Sequence, residues 1–97
     1  MASFKLSTKA KLDLKKIAVF TEKRWDRAQR NAYLLQFDHC FHQLLTNPAM
    51  GTSCDHIMPG YRQFPQGSHL IFYKINSHNI IEIIRILHKN MSPNNRL

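Results

Sequence analysis

Hydrophobic residues recur at helical spacing in the first half of the chain. After Ser7, a good N-cap residue, apolar side chains return every three or four positions and predict an amphipathic helix. The stripe that should face inward is Ala10, Leu14, Ile17, Ala18, Thr21 and Trp25. Lysines occupy most of the opposite side, so this helix is expected to be apolar inward and basic outward.

A second helical pattern begins at Asp26 and ends at Asn47-Pro48. Asp26 and Gln29 have the spacing of a capping box, and proline lacks the amide that a continuing helix needs. The predicted buried stripe of this helix is Tyr33, Leu34, Phe37, Phe41, Leu44 and Leu45. Because almost no residue separates the two patterns, we expect an antiparallel helical hairpin.

The hydrophobic period changes from helical to alternating after Pro59-Gly60. Strands are predicted over residues 61–64, 68–75 and 80–87, with short turns rich in proline, glycine and asparagine between them. Consecutive strands joined by such turns form an antiparallel meander. A short alternation over residues 4–6 adds an edge strand before the first helix.

These elements predict an α+β fold in a single domain over residues 1–97. Its order is an N-terminal strand, an α-helical hairpin and a three-stranded antiparallel meander, with one sheet packed on the helices. The hairpin must cover one face of the sheet, and the other face is expected to stay partly open. Residues from about 89 onward carry no clear pattern and predict a flexible tail.

The charge of the chain is strongly positive, with 14 lysines and arginines against six acids and a net charge of +8. Eight of the cations lie between Lys9 and Arg30, on the helical half. Such a balance attracts acidic partners, either nucleic acid or an acidic polypeptide. Charge alone does not choose between these partners, and a merely well-solvated basic surface is the plain alternative.

Export and membrane insertion are not expected. The chain has no run of about 18 apolar residues, and its first residues lack an apolar signal core followed by a cleavage site. We therefore expect a soluble, cytoplasmic protein. In that compartment Cys40 and Cys54 should be reduced thiols, buried or half-buried.

Two stretches of the chain resemble the ParE branch of the RelE/ParE toxin superfamily. They are residues 60–73, GYRQFPQGSHLIFY, and residues 83–91, IIRILHKNM. The early Ala10-x3-Leu14-x2-Ile17 pattern and the Asn47-Pro48-x2-Gly51 turn also fit, so the resemblance covers nearly the whole chain. Ser92 departs from the family, where an acid after the methionine is common.

The resemblance implies a bacterial toxin of a type II toxin–antitoxin pair that needs no cofactor and no catalysis. Such toxins bind DNA gyrase, with the A subunit as the expected contact, stabilise its cleaved-DNA complex and block replication. A ParD-type antitoxin holds them inactive by wrapping its acidic, flexible C-terminal region around them. Direct sequence-specific DNA binding is not implied.

Candidate contact residues follow from the predicted open sheet face and the basic hairpin. For the target they are Arg62, Arg85, His88, Lys89, Met91 and Arg96. For the antitoxin they are Lys11, Lys15, Arg24 and Phe72.

The alternative is a RelE-like, ribosome-dependent mRNA endoribonuclease on the same fold. Such an enzyme needs an acid–base pair and cations at the phosphate, for which Arg62, Arg85, His88 and His69 are the candidates. In a regular strand Arg85 and His88 point to opposite faces, which argues against a joint site. A structural role for Arg85, bonded to backbone carbonyls or to an acid such as Asp38 or Asp55, is equally compatible with the sequence.

Two further classes of site receive less support from the sequence. A zinc site built from His39, His42, Cys54 and His56 lacks the close cysteine spacing of structural zinc motifs, so no metal is expected. His39 and His42 should be exposed instead. A plain nucleic-acid binder would need aromatic residues among its lysines, and those aromatics (Trp25, Tyr33, Phe37, Phe41) are assigned to the core.

Overall fold

The computed structural model describes residues 3–97, so Met1 and Ala2 of the predicted domain lie outside the described part. The elements are β1 (Ser3–Leu6), α1 (Thr8–Arg24), α2 (Arg27–Thr46), a 3-10 helix (Pro48–Met50), β2 (Thr52–Ser53), β3 (Arg62–Gln66), β4 (His69–Ile75) and β5 (Ile80–His88). None of the helices over these residues is long and apolar enough to cross a membrane. The predicted α+β class and helical hairpin are confirmed.

The five strands form one sheet in the order β1-β5-β4-β3-β2. Strands β2 to β5 pair antiparallel, and β1 is an edge strand parallel to β5. The predicted count of four strands is wrong, because the two-residue β2 lies in a segment that carries no strand pattern. The predicted turn at 65–67 is also wrong in part, since Pro65 belongs to β3. Proline is tolerated there because β2 pairs only with Arg62 and Gln63, which leaves the outer edge of β3 free at Pro65.

Side-chain caps start both helices where the sequence predicts. Ser7 Oγ accepts a hydrogen bond from the Ala10 amide at 3.0 Å, and Asp26 Oδ1 accepts one from the Gln29 amide at 2.7 Å. Ser7 Oγ also donates to the Ile84 carbonyl at 2.7 Å. The first cap therefore also fixes the start of α1 on the sheet.

The helix-covered face of the sheet holds the main core. Phe37, Phe41 and Leu44 of α2 pack there with Ile71 and Tyr73 of β4 and with Ile81, Ile83 and Ile86 of β5. Full burial of each such side chain contributes about 1.5–3 kcal/mol. This packing confirms that the helical hairpin covers one face of the sheet.

A β-bulge interrupts the alternation of side chains along β5. Phe72 pairs with Arg85 whereas its neighbour Tyr73 pairs with Ile83, so Ile84 is an extra residue in β5. An extra residue reverses the side-chain alternation beyond it. Ile83 and Ile86 consequently lie in the same core cluster, although a regular strand would point them to opposite faces.

The second face of the sheet carries a smaller core of Cys54, Phe72 and Leu87. The predicted open face is therefore partly covered. Its cover consists of Ile57, Tyr61, Leu70 and the C-terminal Leu97. The last residues thus contact the body of the fold, while their predicted flexibility stays a prediction.

Trp25 is not a core residue, contrary to the sequence prediction. Its side chain is 67% exposed. Trp25 is the C-cap of α1, with φ −122° and ψ −94°, so its backbone has left the helix. The three-and-four spacing of α1 therefore no longer determines the direction of this side chain.

The two cysteines are buried thiols, as the sequence predicts. Both are free, and Cys40 Sγ donates a hydrogen bond to Gln66 Oε1 at 2.9 Å. Burial raises the pKa of both thiols, which keeps them protonated and poorly nucleophilic. Their role is packing, one in each core cluster.

Candidate interaction sites

Arg85 is bound inside the protein by Asp13. Its Nε lies 2.8 Å from Asp13 Oδ2 and its Nη2 lies 2.9 Å from Asp13 Oδ1, a bidentate pair. Nη1 donates to the Arg96 carbonyl at 2.9 Å. The side chains of Arg85 and Asp13 are only 15% and 8% exposed. Arg85 therefore connects β5, α1 and the C-terminus, and its charge is already paired.

The acid that pairs with Arg85 is neither Asp38 nor Asp55, the two partners that the sequence suggested. Asp13 occupies a buried position of α1 together with Ala10 and Ile17. Its Oδ2 also accepts a hydrogen bond from the Ile86 amide at 3.0 Å. The sequence does contain a sign of this contact, because Asp13 is an acidic residue at a position of α1 where the helical spacing predicts an inward-facing side chain.

Arg62 and Arg85 lie on different strands, β3 and β5, with β4 between them. The guanidinium of Arg85 is bonded to Asp13 of α1. Arg62 Nη1 donates to the Gly51 carbonyl at 2.6 Å. The two arginines proposed for a phosphate site therefore do not converge.

A groove of about 470 Å³ lies where the helical hairpin meets the end of β5. We call it the hairpin groove. Its apolar lining includes Phe20, Trp25 and Met91, and its polar lining includes His69 and His88. Two of the predicted target-binding residues, His88 and Met91, thus lie together. Lys89 is exposed beside them, and Arg96 is half-buried with its Nη1 bonded to the Ser92 carbonyl at 2.6 Å.

Two histidines and a tyrosine form a hydrogen-bonded cluster in this groove. Tyr33 Oη lies 2.8 Å from His69 Nδ1 and accepts a hydrogen bond from the Ser68 amide at 3.1 Å. The rings of His69 and His88 pack edge-to-face, with their centroids 5.5 Å apart. His88 Nδ1 accepts a hydrogen bond from the Asn90 amide at 3.1 Å. Tyr33 and His69 come from different elements, α2 and β4, so no local sequence pattern predicts their contact.

The electrostatics of the cluster favour a neutral His69. Burial lowers the pKa of His69 below its ordinary value, and the neighbouring His88 lowers this pKa further. The negative charge of Asp13 raises the pKa of His69, but this effect is smaller than the other two. Burial also raises the pKa of Tyr33, so its hydroxyl stays protonated. Four residues were candidates for the nuclease alternative. Of these, His69 and His88 line the hairpin groove, whereas Arg62 and Arg85 do not.

We expect the stability of the protein to fall as the pH drops through about 6.5, the ordinary pKa of histidine. His69 has a lowered pKa in the folded state, so the unfolded chain binds its proton more tightly. This loss should level off below the folded pKa. Urea unfolding from about pH 7.5 to about pH 5 measures it, and His69→Gln should flatten the profile.

The matched control for this pH dependence is His39→Gln, since His39 is exposed on α2. It should reproduce the wild-type profile. A wild-type profile that rises toward acid, or one that His69→Gln leaves unchanged, would contradict a buried neutral His69.

The residues predicted to bind the antitoxin do not share one surface. Lys11 and Lys15 are exposed beside a hollow of about 340 Å³ between the two helices, with Phe4 and Leu14 in its lining. Arg24 is exposed at the end of the hairpin, its guanidinium 5.8 Å from the centre of the Trp25 ring. Phe72 is different, because it is only 1% exposed. In this structure Phe72 is a core residue and presents no surface to a partner.

A metal-binding cluster is not assembled by the described residues. Among residues 3–97, no three or more side chains from His, Cys, Asp and Glu come together as metal ligands. His39 and His42 are exposed on α2, as the sequence predicts, and Cys54 is buried in the second core.

Comparison with known proteins places nearly the whole chain in one family. A family model described as the ParE toxin of the type II toxin–antitoxin system parDE matches residues 4–93. Toxin ParE1 of Mycobacterium tuberculosis is 36% identical over 92 residues, which are 95% of this chain and 94% of the relative. Toxin ParE1 of Caulobacter vibrioides is 34% identical over the same shares.

Solved structures share the fold. A chain of the chromosomal ParDE system from P. aeruginosa superposes with a TM-score of 0.77 at 19% identity, over 91% of this chain and 96% of that chain. A chain of the toxin–antitoxin complex RelBE2 from Mycobacterium tuberculosis gives a TM-score of 0.63 at 21% identity, over 90% and 96%. At these identities the likeness concerns the fold alone. The sequence matches go further, and the chain belongs to the ParE toxin family of type II toxin–antitoxin systems.

Proposed function

We propose that this toxin poisons DNA gyrase by protein–protein binding in the bacterial cytoplasm, without turning over a substrate. It contacts the A subunit and stabilises the cleaved-DNA complex, which blocks replication. The separation of Arg62 from Arg85, which lie on non-adjacent strands and are bonded to different partners, carries this proposal. RNA cleavage needs an acid–base pair and cations around one phosphate, and both arginines are bound elsewhere in the fold.

The proposed gyrase contact is the end of β5 and the segment after it. His88, Lys89 and Met91 follow one another there, and Lys89 and Met91 are exposed. A cation beside an exposed thioether suits a partner surface that is acidic at its rim and apolar at its centre. Arg85, which is buried and paired, supports this surface from inside.

Neutralisation is assigned to a ParD-type antitoxin with an acidic, flexible C-terminal region. The hollow between the helices offers apolar anchors, Phe4 and Leu14, and has Lys11 and Lys15 at its rim. An acidic segment that folds on binding gains both steering and apolar burial on such a surface. The end of β5 does not line this hollow, so antitoxin binding and gyrase contact can be measured separately.

The second candidate function is a ribosome-dependent mRNA endoribonuclease. The cluster of Tyr33, His69 and His88 in the hairpin groove is the observation that favours it, because imidazole and phenol groups can transfer protons. Lys16 is the cation in the lining of this groove. Without an arginine there, stabilisation of the phosphate transition state would rest on this lysine.

One experiment separates the two functions. Purified toxin is incubated with gyrase, ATP and supercoiled plasmid, and in parallel with translating ribosomes and a reporter mRNA. We expect linear plasmid covalently bound to gyrase and intact mRNA. Lys89→Ala combined with Met91→Ala should reduce the linear product by about tenfold, which corresponds to a loss of about 1.4 kcal/mol of binding free energy and is no more than truncation of a single hot-spot residue costs.

The matched control is Lys5→Ala. Lys5 is also exposed, but it pairs with Glu82 near the start of β5, far from Lys89. This variant should cleave plasmid like the wild type. Clipped mRNA with intact plasmid would replace the gyrase proposal with the nuclease, and equal loss in both variants would exclude the end of β5 as the contact.

A further inference from the structure

Aromatic side chains are exposed among cations at the end of the helical hairpin. Phe20 and Trp25 are each 67% exposed, and both line the hairpin groove. Lys16 lies in the same lining, and the Arg24 guanidinium is stacked near the Trp25 ring at 5.8 Å. Trp25 is therefore available for nucleic-acid binding, contrary to its predicted place in the core.

We propose that the hairpin groove binds single-stranded DNA without sequence preference. A base stacks on Trp25 and Phe20, while Lys16 and Arg24 contact the neighbouring phosphates. Exposed aromatic faces beside cations are the arrangement by which proteins hold single strands, since every base has a face that can stack. This activity goes beyond gyrase binding, although the groove shares His88 and Met91 with the proposed gyrase contact.

The polar lining of the groove suits the edge of a base. Gln29 and Ser68 reach the groove from α2 and from the β3–β4 turn, and His88 reaches it from β5. Amide, hydroxyl and imidazole groups both donate and accept hydrogen bonds, so they can pair with any base. None of the side chains in the lining is acidic, which suits a phosphate group.

Single-stranded DNA fits this groove better than an acidic peptide does. A volume of about 470 Å³ is in the range of sites for one small ligand. The exposed aliphatic residues Leu12, Val19, Leu35 and Ile75, which would suit an amphipathic peptide, lie outside its lining. Its own exposed apolar residues are two aromatic side chains and one methionine.

Trp25 makes the proposal directly measurable, because it is the single tryptophan of the chain. The wild-type toxin is titrated with a labelled oligothymidylate of about 12 nucleotides, and both oligonucleotide anisotropy and Trp25 emission are followed. We expect saturable binding that quenches Trp25 and weakens steeply between about 50 and 200 mM salt. Trp25→Ala should weaken binding about tenfold or more, whereas Trp25→Phe should keep most of the affinity.

Leu35→Ala is the matched control, since Leu35 is as exposed as Trp25 but lines a different surface of α2. It should bind like the wild type, and circular dichroism should show that all variants are folded. Binding without quenching of Trp25, equal affinity of the Trp25→Ala variant, or equal affinity for duplex DNA would overturn the proposal. So would an alternating glutamate–leucine peptide that displaces the oligonucleotide at lower concentration, because the groove would then be a peptide site. The gyrase proposal is tested separately by the plasmid assay, so failure of oligonucleotide binding and failure of plasmid cleavage are distinguishable.

Discussion

Replacing Asp13 by alanine is expected to lower the free energy of unfolding by about 3–5 kcal/mol. The substitution leaves the guanidinium of Arg85, only 15% exposed, without its bidentate acid. It also removes the acceptor of the Ile86 amide beside the bulge of β5. A buried charge and a buried donor would both lose their partners, which costs more than the pair gains by forming. Urea unfolding at neutral pH measures the loss.

Asp38→Ala is the control for this prediction, because it makes the same change at an exposed aspartate of α2. Asp38 Oδ2 lies 3.6 Å from His42 Nδ1, and both side chains are exposed. It should change the free energy of unfolding by no more than about 0.5 kcal/mol. Replacing the pair together, Asp13→Leu with Arg85→Met, should recover most of the stability lost by Asp13→Ala. A loss below about 1 kcal/mol for Asp13→Ala would show that the pair does not hold α1 on the sheet.

Phe72→Ala is expected to cost about 3–5 kcal/mol of the free energy of unfolding and to leave the affinity of the folded protein for its antitoxin unchanged. Phe72 is only 1% exposed and packs with Cys54 and Leu87, under Leu97. Truncation would remove the largest side chain of the second core and leave a cavity. Unfolding by urea measures the stability, and titration with antitoxin well below the unfolding temperature measures the affinity.

Phe20→Ala is the matched control, the same chemical change at a phenylalanine that is 67% exposed. It should alter stability by about 0.5 kcal/mol or less. Phe72→Leu, which keeps most of the volume, should cost less than about 1.5 kcal/mol. If Phe72→Ala weakened antitoxin binding while the protein was fully folded, the second face of the sheet would have to open to the antitoxin.

Local signals determined the helices of this protein. Ser7 and Asp26 cap them and Pro48 ends the second, and caps act within one turn of the backbone. The sequence predictions become wrong where no such local signal determines the backbone. Trp25 follows the apolar spacing of α1 but lies at its C-cap, where the backbone turns away. The two-residue β2 has no pattern of its own and exists only because β3 is beside it.

The candidate sites show the same contrast between local signals and contacts of distant residues. The sequence pointed correctly to a basic hairpin surface with Lys11 and Lys15, since exposed cations need no partner to be recognised. It did not find the contact of Tyr33 with His69, because 36 residues separate them in the chain. Nor could it show that Phe72 is covered, since most of the cover comes from distant parts of the chain, the segment before β3 and the C-terminal Leu97.

The sequence by itself determined the α+β class, the helical hairpin, the order of the main strands, the positive charge and the membership in the ParE toxin family. Periodicity, caps and composition are local or additive properties, so they can be read along the chain. Only the tertiary structure decided which charges are free. Arg85 is paired with Asp13, 72 residues away, and the bulge at Ile84 sets which side chains of β5 face the helices. Such pairings depend on the register between distant segments, which no local pattern encodes.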